Sequence, residues 1–367
     1  MPDTSSGPIA AERGSPRRHR ARRQRRSGRR RIGRTVGIAL AVLLLGTAGA
    51  GYWAYRSLDG NLTSVDLEQA LGDDRPEKAP AARGATNLLV LGSDSRAGDN
   101  AELDSGVVAG ARADTALVVH IPEDRTSAVA VSIPRDTLVD RPSCRSANGA
   151  ETGPASRVMF NSVYTTGGSA CVVRTVEQMS GVRVDHLLEI DFAGFEDLVD
   201  ALGGVPVTVE EPIRDTKSGF TLEPGTHRLD GADSLRFVRT RYGYGDGSDL
   251  GRIGLQQQFL VALLNEVKRQ DLLSSPAKSY RIARAATESL TTDAELGSLT
   301  ALADFARGMR GIDPGAMETV MLPVAYDTAD PNRVVPAEPQ ADELWQALRE
   351  SADVPESAYD SPATAGR

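Results

Sequence analysis

Cysteine is nearly absent from this 367-residue chain, which holds only Cys144 and Cys171. Two cysteines exclude a disulfide-dense scaffold, and their spacing fits no metal-ligand pattern. Histidine is almost as scarce. His19, His120, His186 and His227 all stand outside the polar motifs described below, so no Ser-His-Asp arrangement can be argued. His120 falls in a strand-like run and is expected to pack or pair there. The chain also lacks a Walker-type loop, a GxGxxG fingerprint and any internal repeat, which removes the common nucleotide-binding and solenoid classes.

What is present is uneven. Hydrophobic residues at 40% and charged residues at 25% are ordinary for a globular protein. The net charge of −8 conceals an asymmetry, because residues 1–34 carry 12 Arg and only two acids, Asp3 and Glu12. Taking those 12 from 42 basic residues and those two from 50 acidic ones leaves 30 and 48, a net charge of −18. Residues 1–34 hold too little apolar surface to build a core and are expected to be disordered. A nucleic-acid-binding tail is one reading of such a run.

The neighbouring stretch supports another reading. Thr35 to Tyr55 are 21 residues without a charge, long enough to span a bilayer as a helix. The arginines stop at Arg34, which keeps the N-terminus in the cytoplasm, and Tyr52, Trp53 and Tyr55 mark the far interface. A cleaved signal peptide is the rival, but its apolar part is shorter and no clear cleavage site follows. The expected layout is a cytoplasmic tail over 1–34, a transmembrane helix over 35–55 and a juxtamembrane stalk over 56–85. A folded domain over 86–325 and a polar C-terminal tail over 326–367 follow. The expectation is a single-pass cell-membrane protein with its folded domain outside. The tail then sets topology and touches anionic lipid; it lacks any element that reads nucleic acid. Cys144 and Cys171 can pair in an oxidising compartment or remain thiols in the cytosol, and this topology favours pairing.

Within the domain the pattern is α/β. Apolar runs at 87–93, 116–122 and 128–134 read as strands, the last two as a hairpin. Further strands are expected at 186–192, 205–210 and 317–324. Helices are expected up to Gly181, across 192–204, 230–241, from about 249 to 273, 277–290 and 294–310. Only a short amphipathic piece around Leu344–Leu348 interrupts the polar C-terminal stretch.

Polar signals gather beside these strands. Gly92–Arg96 (GSDSR), Arg112–Thr115 (RADT) and Pro134–Thr137 (PRDT) each bring an Arg close to an Asp. A fourth element of this kind runs from Arg236 to Phe259, with Arg239 and Arg241 before a Gly-rich loop and Asp249 and Arg252 after it. Ser248 or Asp249 can cap the helix that follows, on which Ile253, Leu260, Leu264 and Val267 share one face. Arg252 and Gln256 are four residues apart and share an adjoining face. Taken singly, each element is as well explained by surface salt bridges worth about 0–1 kcal/mol. Four together point to a phosphate site, because Arg forks bind phosphate oxygens in pairs and carboxylates hold Mg²⁺. The residues favour metal-assisted chemistry at a diphosphate.

In their joint order these segments resemble the LytR-CpsA-Psr family of cell-wall enzymes, from about Asn87 to Lys268 and more weakly to Val324. The match rests on NLLVLGSDSR, RADT, SIPRDT, FNSVYTTGG, DFAGFEDLVDALGGV and RTRY…DLGRI…Q. The resemblance implies an α/β/α sandwich with a central mixed sheet enclosing a hydrophobic lipid pocket. It implies a phosphotransferase that moves a glycopolymer from a polyprenyl-diphosphate carrier to a peptidoglycan acceptor through a phosphodiester bond. Asp94 and Asp114 match the family's carboxylates for Mg²⁺ (or Mn²⁺). Arg112, Arg135, Arg239, Arg241 and Arg252 match its diphosphate-binding arginines, with Gln256 a helical turn after the last. Arg96 and Asp136 belong to the same motifs. Arg112, Arg135, Arg252 and Asp136 are expected to be catalytic, and Arg96, Arg239, Arg241 and Gln256 to hold the diphosphate. Members often carry a basic residue two positions before the Asn of FNS; here that position is Met159, with Arg157 nearby, and the contact is not carried over. The cysteine pair resembles a disulfide of actinobacterial members. A diphosphatase using water, and a non-catalytic lipid-binding envelope regulator, are the alternatives.

Overall fold

The computed structural model describes residues 40–93, 113–145, 150–240, 249–270 and 275–363, with Asp249 and Leu250 described by backbone only. It divides into two compact units, 1–56 and 57–367. In the first, residues 40 onward are helical, and Leu40, Val42, Leu43, Leu44, Leu45, Tyr52 and Trp53 are exposed. Among the described residues no helix is long and apolar enough to cross a membrane.

The second unit is built on a seven-stranded mixed sheet. Its strands are β1 (Thr63–Val65), β2 (Thr86–Ser93), β3 (Ala113–Ile121), β4 (Ala128–Ser132), β5 (His186–Asp191), β6 (Leu290–Asp293) and β7 (Met317–Met321). Their order across the sheet is β1-β6-β5-β2-β3-β4-β7. β3 runs antiparallel to β2 and β4, while β5 runs parallel to β2 and β7 parallel to β4.

Strand side chains alternate between faces, so the apolar runs feed two layers. Leu89, Leu91, Val118, Val131 and Leu187 face helix α1 (Phe160–Ser180) and the later helix Gln340–Glu350. Leu88, Leu117, Val119 and Ala130 face the opposite layer, where Leu260 and Phe305 pack. The architecture is thus an α/β/α sandwich. Beside it lies a satellite cluster of Val199, Val205, Val207, Phe237, Leu255 and Phe259. It joins helix α2 (Phe192–Leu202), the hairpin 205–229, helix α3 (Gly231–Arg239) and helix α4 (Asp249–Arg269). Because α4 lies between this cluster and the sheet, it buries more than one face: Leu255 and Phe259 are core anchors, whereas Val267 is exposed.

Two segments expected outside the domain belong to it. Within 56–85, β1 pairs with β6, Leu67 and Leu71 enter the core, and Arg75 forms a 2.6 Å ion pair with Glu177 at 7% and 3% side-chain exposure. The residues after 326 supply the second strand of a hairpin (Val334–Pro336, paired with Val324–Tyr326) and the helix Gln340–Glu350. Leu344, Trp345 and Leu348 of that helix are fully buried, so its amphipathic spacing reflects core packing.

α1 begins at Phe160, earlier than its apolar run suggests, and kinks at Gly167–Gly168. A Cβ at Gly167 would lie 2.7 Å from Cβ of Cys171 and 3.1 Å from that of Cys144. The glycine therefore gives room to the Cys144–Cys171 disulfide, which is formed. His120 is buried, as expected of a strand residue, and its ring nitrogens bond to Asn87 and Ser351. Burial, then the nearby Lys78, lower its pKa to about 4.

At the far end of the sheet, His186 Nδ1 lies 3.3 Å from Asp293 Oδ2. The same carboxylate accepts the amides of Leu187, Glu295 and Leu296. Its Oδ2 ties β6 to β5 and its Oδ1 closes the turn after β6, although Glu295 also stands close enough to complete a three-ligand group. Burial opposes the His186 charge, but the Asp293 hydrogen bond and charge outweigh it and raise the pKa. Burial likewise opposes ionisation of Asp293, and its bonds to His186 and Leu187 outweigh that and lower the pKa.

Trp345→Ala should cost about 3–5 kcal/mol, the range for emptying a buried aromatic site. Urea unfolding measures it, and a loss near zero would mean that the C-terminal helix is not part of the cooperative core. The His186–Asp293 clasp has a pH signature. Asp293 stabilises above its unfolded value of 3.8 and loses that contribution as pH falls. His186 stabilises fully below 6.5 and loses that contribution as pH rises through its raised value. The gap in melting temperature between the wild type and His186→Gln should therefore be widest from about pH 4 to 6.5 and narrow at alkaline pH. A gap constant from pH 5 to 9 would contradict the assignment.

Candidate functional site

Strand direction brings the polar motifs to one edge of the sheet. β2 ends at Ser93 and β5 at Asp191, and these two residues are in register. β3 starts beside them, and β4 ends at the same edge before the PRDT turn. Ligand sites of open α/β sheets favour such an edge.

A bulge shapes its centre. Gly92 pairs with Thr115 but Ser93 pairs with Ala113, so Asp114 is an extra residue in β3. A β-bulge re-aims the side chain of the inserted residue. Asp114 Oδ1 accepts from Arg135 Nη1 at 2.8 Å, with side chains 19% and 17% exposed. The close approach also needs a small residue opposite, since a Cβ on Gly92 would come within 3.2 Å of the Thr115 Cβ.

The PRDT turn is held from behind. Thr137 bonds back to the Pro134 carbonyl through both its amide and its hydroxyl. The first two amides of α1, at Phe160 and Asn161, donate to the carbonyls of Thr137 and Arg135 at 2.8 and 3.0 Å. Helix-start donors are thus spent on fixing the loop that presents Arg135. Arg135 Nε also lies 3.5 Å from Asp136 Oδ2.

α4 supplies the facing wall. Arg252 is 4% exposed, and its Nη2 donates to the Asp114 carbonyl at 3.2 Å. Gln256, one turn on, donates to Thr115 Oγ1 and to the Val238 carbonyl, each at 3.1 Å. Gln257 reaches Ser132 Oγ at 3.2 Å. The i,i+4 pair therefore clasps both residues of the bulge. Arg239, the last residue of α3, places its guanidinium 4.5 Å from the Phe192 ring centroid, a cation–π contact.

The structure thus brings Asp114, Arg135, Asp136, Arg252 and Gln256 together, with Arg239 on the element that Gln256 also holds through Val238. Asp94, Arg96, Arg112 and Arg241 lie outside the described residues, as do Ser248 and the Asp249 side chain. Arg157 turns elsewhere: its guanidinium pairs with Asp327 at 2.7 Å, its amide donates to Asp140, and its φ is +54°.

Sequence reading missed two features. Arg333, on the C-terminal hairpin, donates to Asp136 Oδ1 at 3.3 Å. Its only sequence signal is an Asp-Pro-Asn turn between two Val-bearing runs, which announces a hairpin but not its partner. Tyr164 hydrogen-bonds to Glu189 beneath the same edge, and burial, then the Glu189 charge, raises its pKa. The FNSVY segment carries this tyrosine on the α1 face three residues beyond Asn161.

The edge can hold an anion with fixed guanidinium groups and present a partly exposed carboxylate beside it. Comparison with known proteins identifies the family. The LytR_cpsA_psr family model matches residues 54–350. The chain is 33% identical over 285 residues to the cell wall biosynthesis protein LcpA of Corynebacterium glutamicum, covering 71% of this chain. The match spans only about half of that relative, 54% of its length. It is 31% identical over 268 residues to TagT of Bacillus subtilis, a polyisoprenyl-teichoic acid–peptidoglycan teichoic acid transferase, covering 70% of this chain and 77% of TagT. The fold is similar to the LytR-Csp2A-Psr enzyme from Actinomyces oris, with TM-score 0.56 and 23% identity over 82% of this chain and 96% of that one. It is also similar to the B. subtilis TagT crystal structure, with TM-score 0.54 and 25% identity over 78% and 98%. With the family model covering most of its length and its strand-edge motifs assembled in one place, the chain belongs to the LytR_cpsA_psr family.

Proposed function

We propose that this protein transfers a glycopolymer from a polyprenyl-diphosphate carrier to peptidoglycan, forming a phosphodiester bond. The observation that carries the proposal is the convergence of Arg135, Arg252 and Gln256 on the Asp114 bulge. The name of TagT supports the same reaction class, and that of LcpA supports a part in cell wall biosynthesis.

Each residue has a distinct task in this reading. Arg135 and Arg239 bind diphosphate oxygens, and their partners Asp114 and Phe192 hold the guanidinium groups in place before substrate arrives. A hydroxyl of the acceptor sugar attacks the phosphorus that bears the glycan. The bond from that phosphorus to the bridging oxygen breaks, and polyprenyl phosphate leaves. Arg252, rigid in its buried position, neutralises the charge that grows on the departing phosphate. The hydroxyl proton passes to a carboxylate of the site that the cation does not occupy. Gln256 keeps the bulge and α3 in register and does not touch the reacting atoms.

Asp114, a carboxylate with 19% of its side chain exposed, is the donor type that a hard divalent cation takes. Asp114 and Asp94 would hold Mg²⁺ (or Mn²⁺), which supplies charge neutralisation on the diphosphate. We further propose that residues 35–55 anchor the chain with its N-terminus in the cytoplasm and the sheet domain outside. The exposed apolar side chains from Leu40 to Leu45 support that anchor.

Arg252→Ala should lower transfer about 10²-fold or more, as loss of one charge-stabilising donor does, while far-UV circular dichroism stays unchanged. The assay follows polymer joined to peptidoglycan and free phosphate released, in detergent with Mg²⁺. Full transfer by the variant would remove Arg252 from the mechanism, and phosphate release without transfer by the wild type would replace the transferase reading with a diphosphatase. Deleting residues 2–28 should leave the transfer rate of the solubilised protein unaltered; a loss would give the basic tail a catalytic part.

A further inference from the structure

The charged groups of the site form a line that continues beyond the four motifs. Arg135 lies between two carboxylates, 2.8 Å from Asp114 Oδ1 and 3.5 Å from Asp136 Oδ2. The other Asp136 oxygen, Oδ1, faces Arg333 Nη1 at 3.3 Å, and Arg333 Nε lies 3.8 Å from Asp330 Oδ2. The order Asp114–Arg135–Asp136–Arg333–Asp330 alternates in sign, and each oxygen of Asp136 serves a different arginine.

The backbone holds the outer end of this line in place. Thr137 pairs with Val334 in a parallel bridge, and the Val334 amide donates to the Asp136 carbonyl at 3.4 Å. The turn that carries Arg333 is closed by Asp327 N to Arg333 O and Arg333 N to Asp330 O, both 2.9 Å. Asp327 Oδ2 accepts from the Asp330 amide, and its Oδ1 takes Arg157. Behind the hairpin stands the helix that buries Trp345. Arg333 is thus presented by a braced turn, in contrast to a long exposed side chain free to choose its partner.

The electrostatics assign it a task. Asp136 by itself would compete with Asp114 for the single Arg135 guanidinium. A second cation on Asp136 satisfies that carboxylate and leaves Arg135 directed at Asp114 and at whatever anion approaches the edge. The pair is 22% and 30% exposed, so its direct worth to stability is the small one of a surface ion pair. Its effect on the direction of Arg135 is separate from that contribution.

We infer that Arg333 is a positioning residue: acting through Asp136, it holds Arg135 in its diphosphate-binding orientation, so the C-terminal hairpin is part of the catalytic apparatus. The inference rests on the transferase reading for its kinetic consequence but not for its geometric one.

The test uses the full chain as wild type, Arg333→Ala, Arg333→Lys, Asp136→Asn and the double variant Arg333→Ala/Asp136→Asn. Arg333→Ala should lower kcat/KM for the lipid-diphosphate donor about tenfold, with melting temperature within about 3 °C of the wild type. Arg333→Lys should recover part of the loss. The double variant should be no worse than Asp136→Asn alone, because the two residues act in one line. Additive losses, or an unaltered kcat/KM in Arg333→Ala, would overturn the inference. A readout independent of activity is the Nε–H NMR signal of Arg135 in arginine-labelled protein, assigned through its disappearance in Arg135→Lys. That signal should shift in Arg333→Ala and return toward its wild-type position in Arg333→Lys. If the wild type transfers nothing, the functional reading fails while this signal still decides the geometric claim; a signal that stays in place in Arg333→Ala overturns it.

Discussion

The inserted residue in β3 is the constraint on which the site depends. Pairing on both sides locks β3 into register, so a supernumerary residue cannot be absorbed by sliding the strand. It must be extruded, and the extruded residue is Asp114. Its carboxylate then meets Arg135 from the next strand's turn, and its carbonyl meets Arg252 from α4. One irregularity in backbone pairing thus recruits groups from two layers of the sandwich. Gly92, opposite the slip, is the residue that permits it.

Burying a guanidinium is costly unless its donors are met. α4 carries Arg252 into the interior because the rest of the helix is committed on two sides. Leu255 and Phe259 anchor the satellite cluster, and Leu260 packs against the sheet. With the helix axis fixed by that packing, Arg252 and Gln256 both reach the bulge, and Gln256 also reaches the Val238 carbonyl of α3. The satellite cluster is remote from the reacting atoms in chemistry, yet it determines where those side chains point.

The central strands were legible because each is a near-continuous apolar run, as expected of strands covered on both faces. The strands β1 and β6, at one side of the sheet, were not. Three and four residues of Thr, Ser and Asp with one apolar position each have no periodicity to detect, and only the neighbouring strand gives them shape. The start of α1 was hidden by Gly167–Gly168, which read as a break and proved to be a kink inside a longer helix. At the site, Asp114, Arg135, Arg252 and Gln256 could be named because each lies in a compact motif beside a strand or helix. The bulge could not, since register is a property of two strands together. Arg333 could not either, because its partner is 197 positions away in the chain.

The order of synthesis gives the C-terminal hairpin a further meaning. β4 is an edge strand until β7, almost two hundred residues later, arrives to pair with it. The layer over β2 and β5 stays incomplete until Leu344, Trp345 and Leu348 dock. A chain that has emerged only as far as α4 therefore presents an unpaired sheet edge and an uncovered apolar face, both prone to association. The last fifty or so described residues close them together with the site. Closure of the core and completion of the charged line become a single late event, so an incompletely synthesised chain has neither a finished domain nor an ordered charged edge.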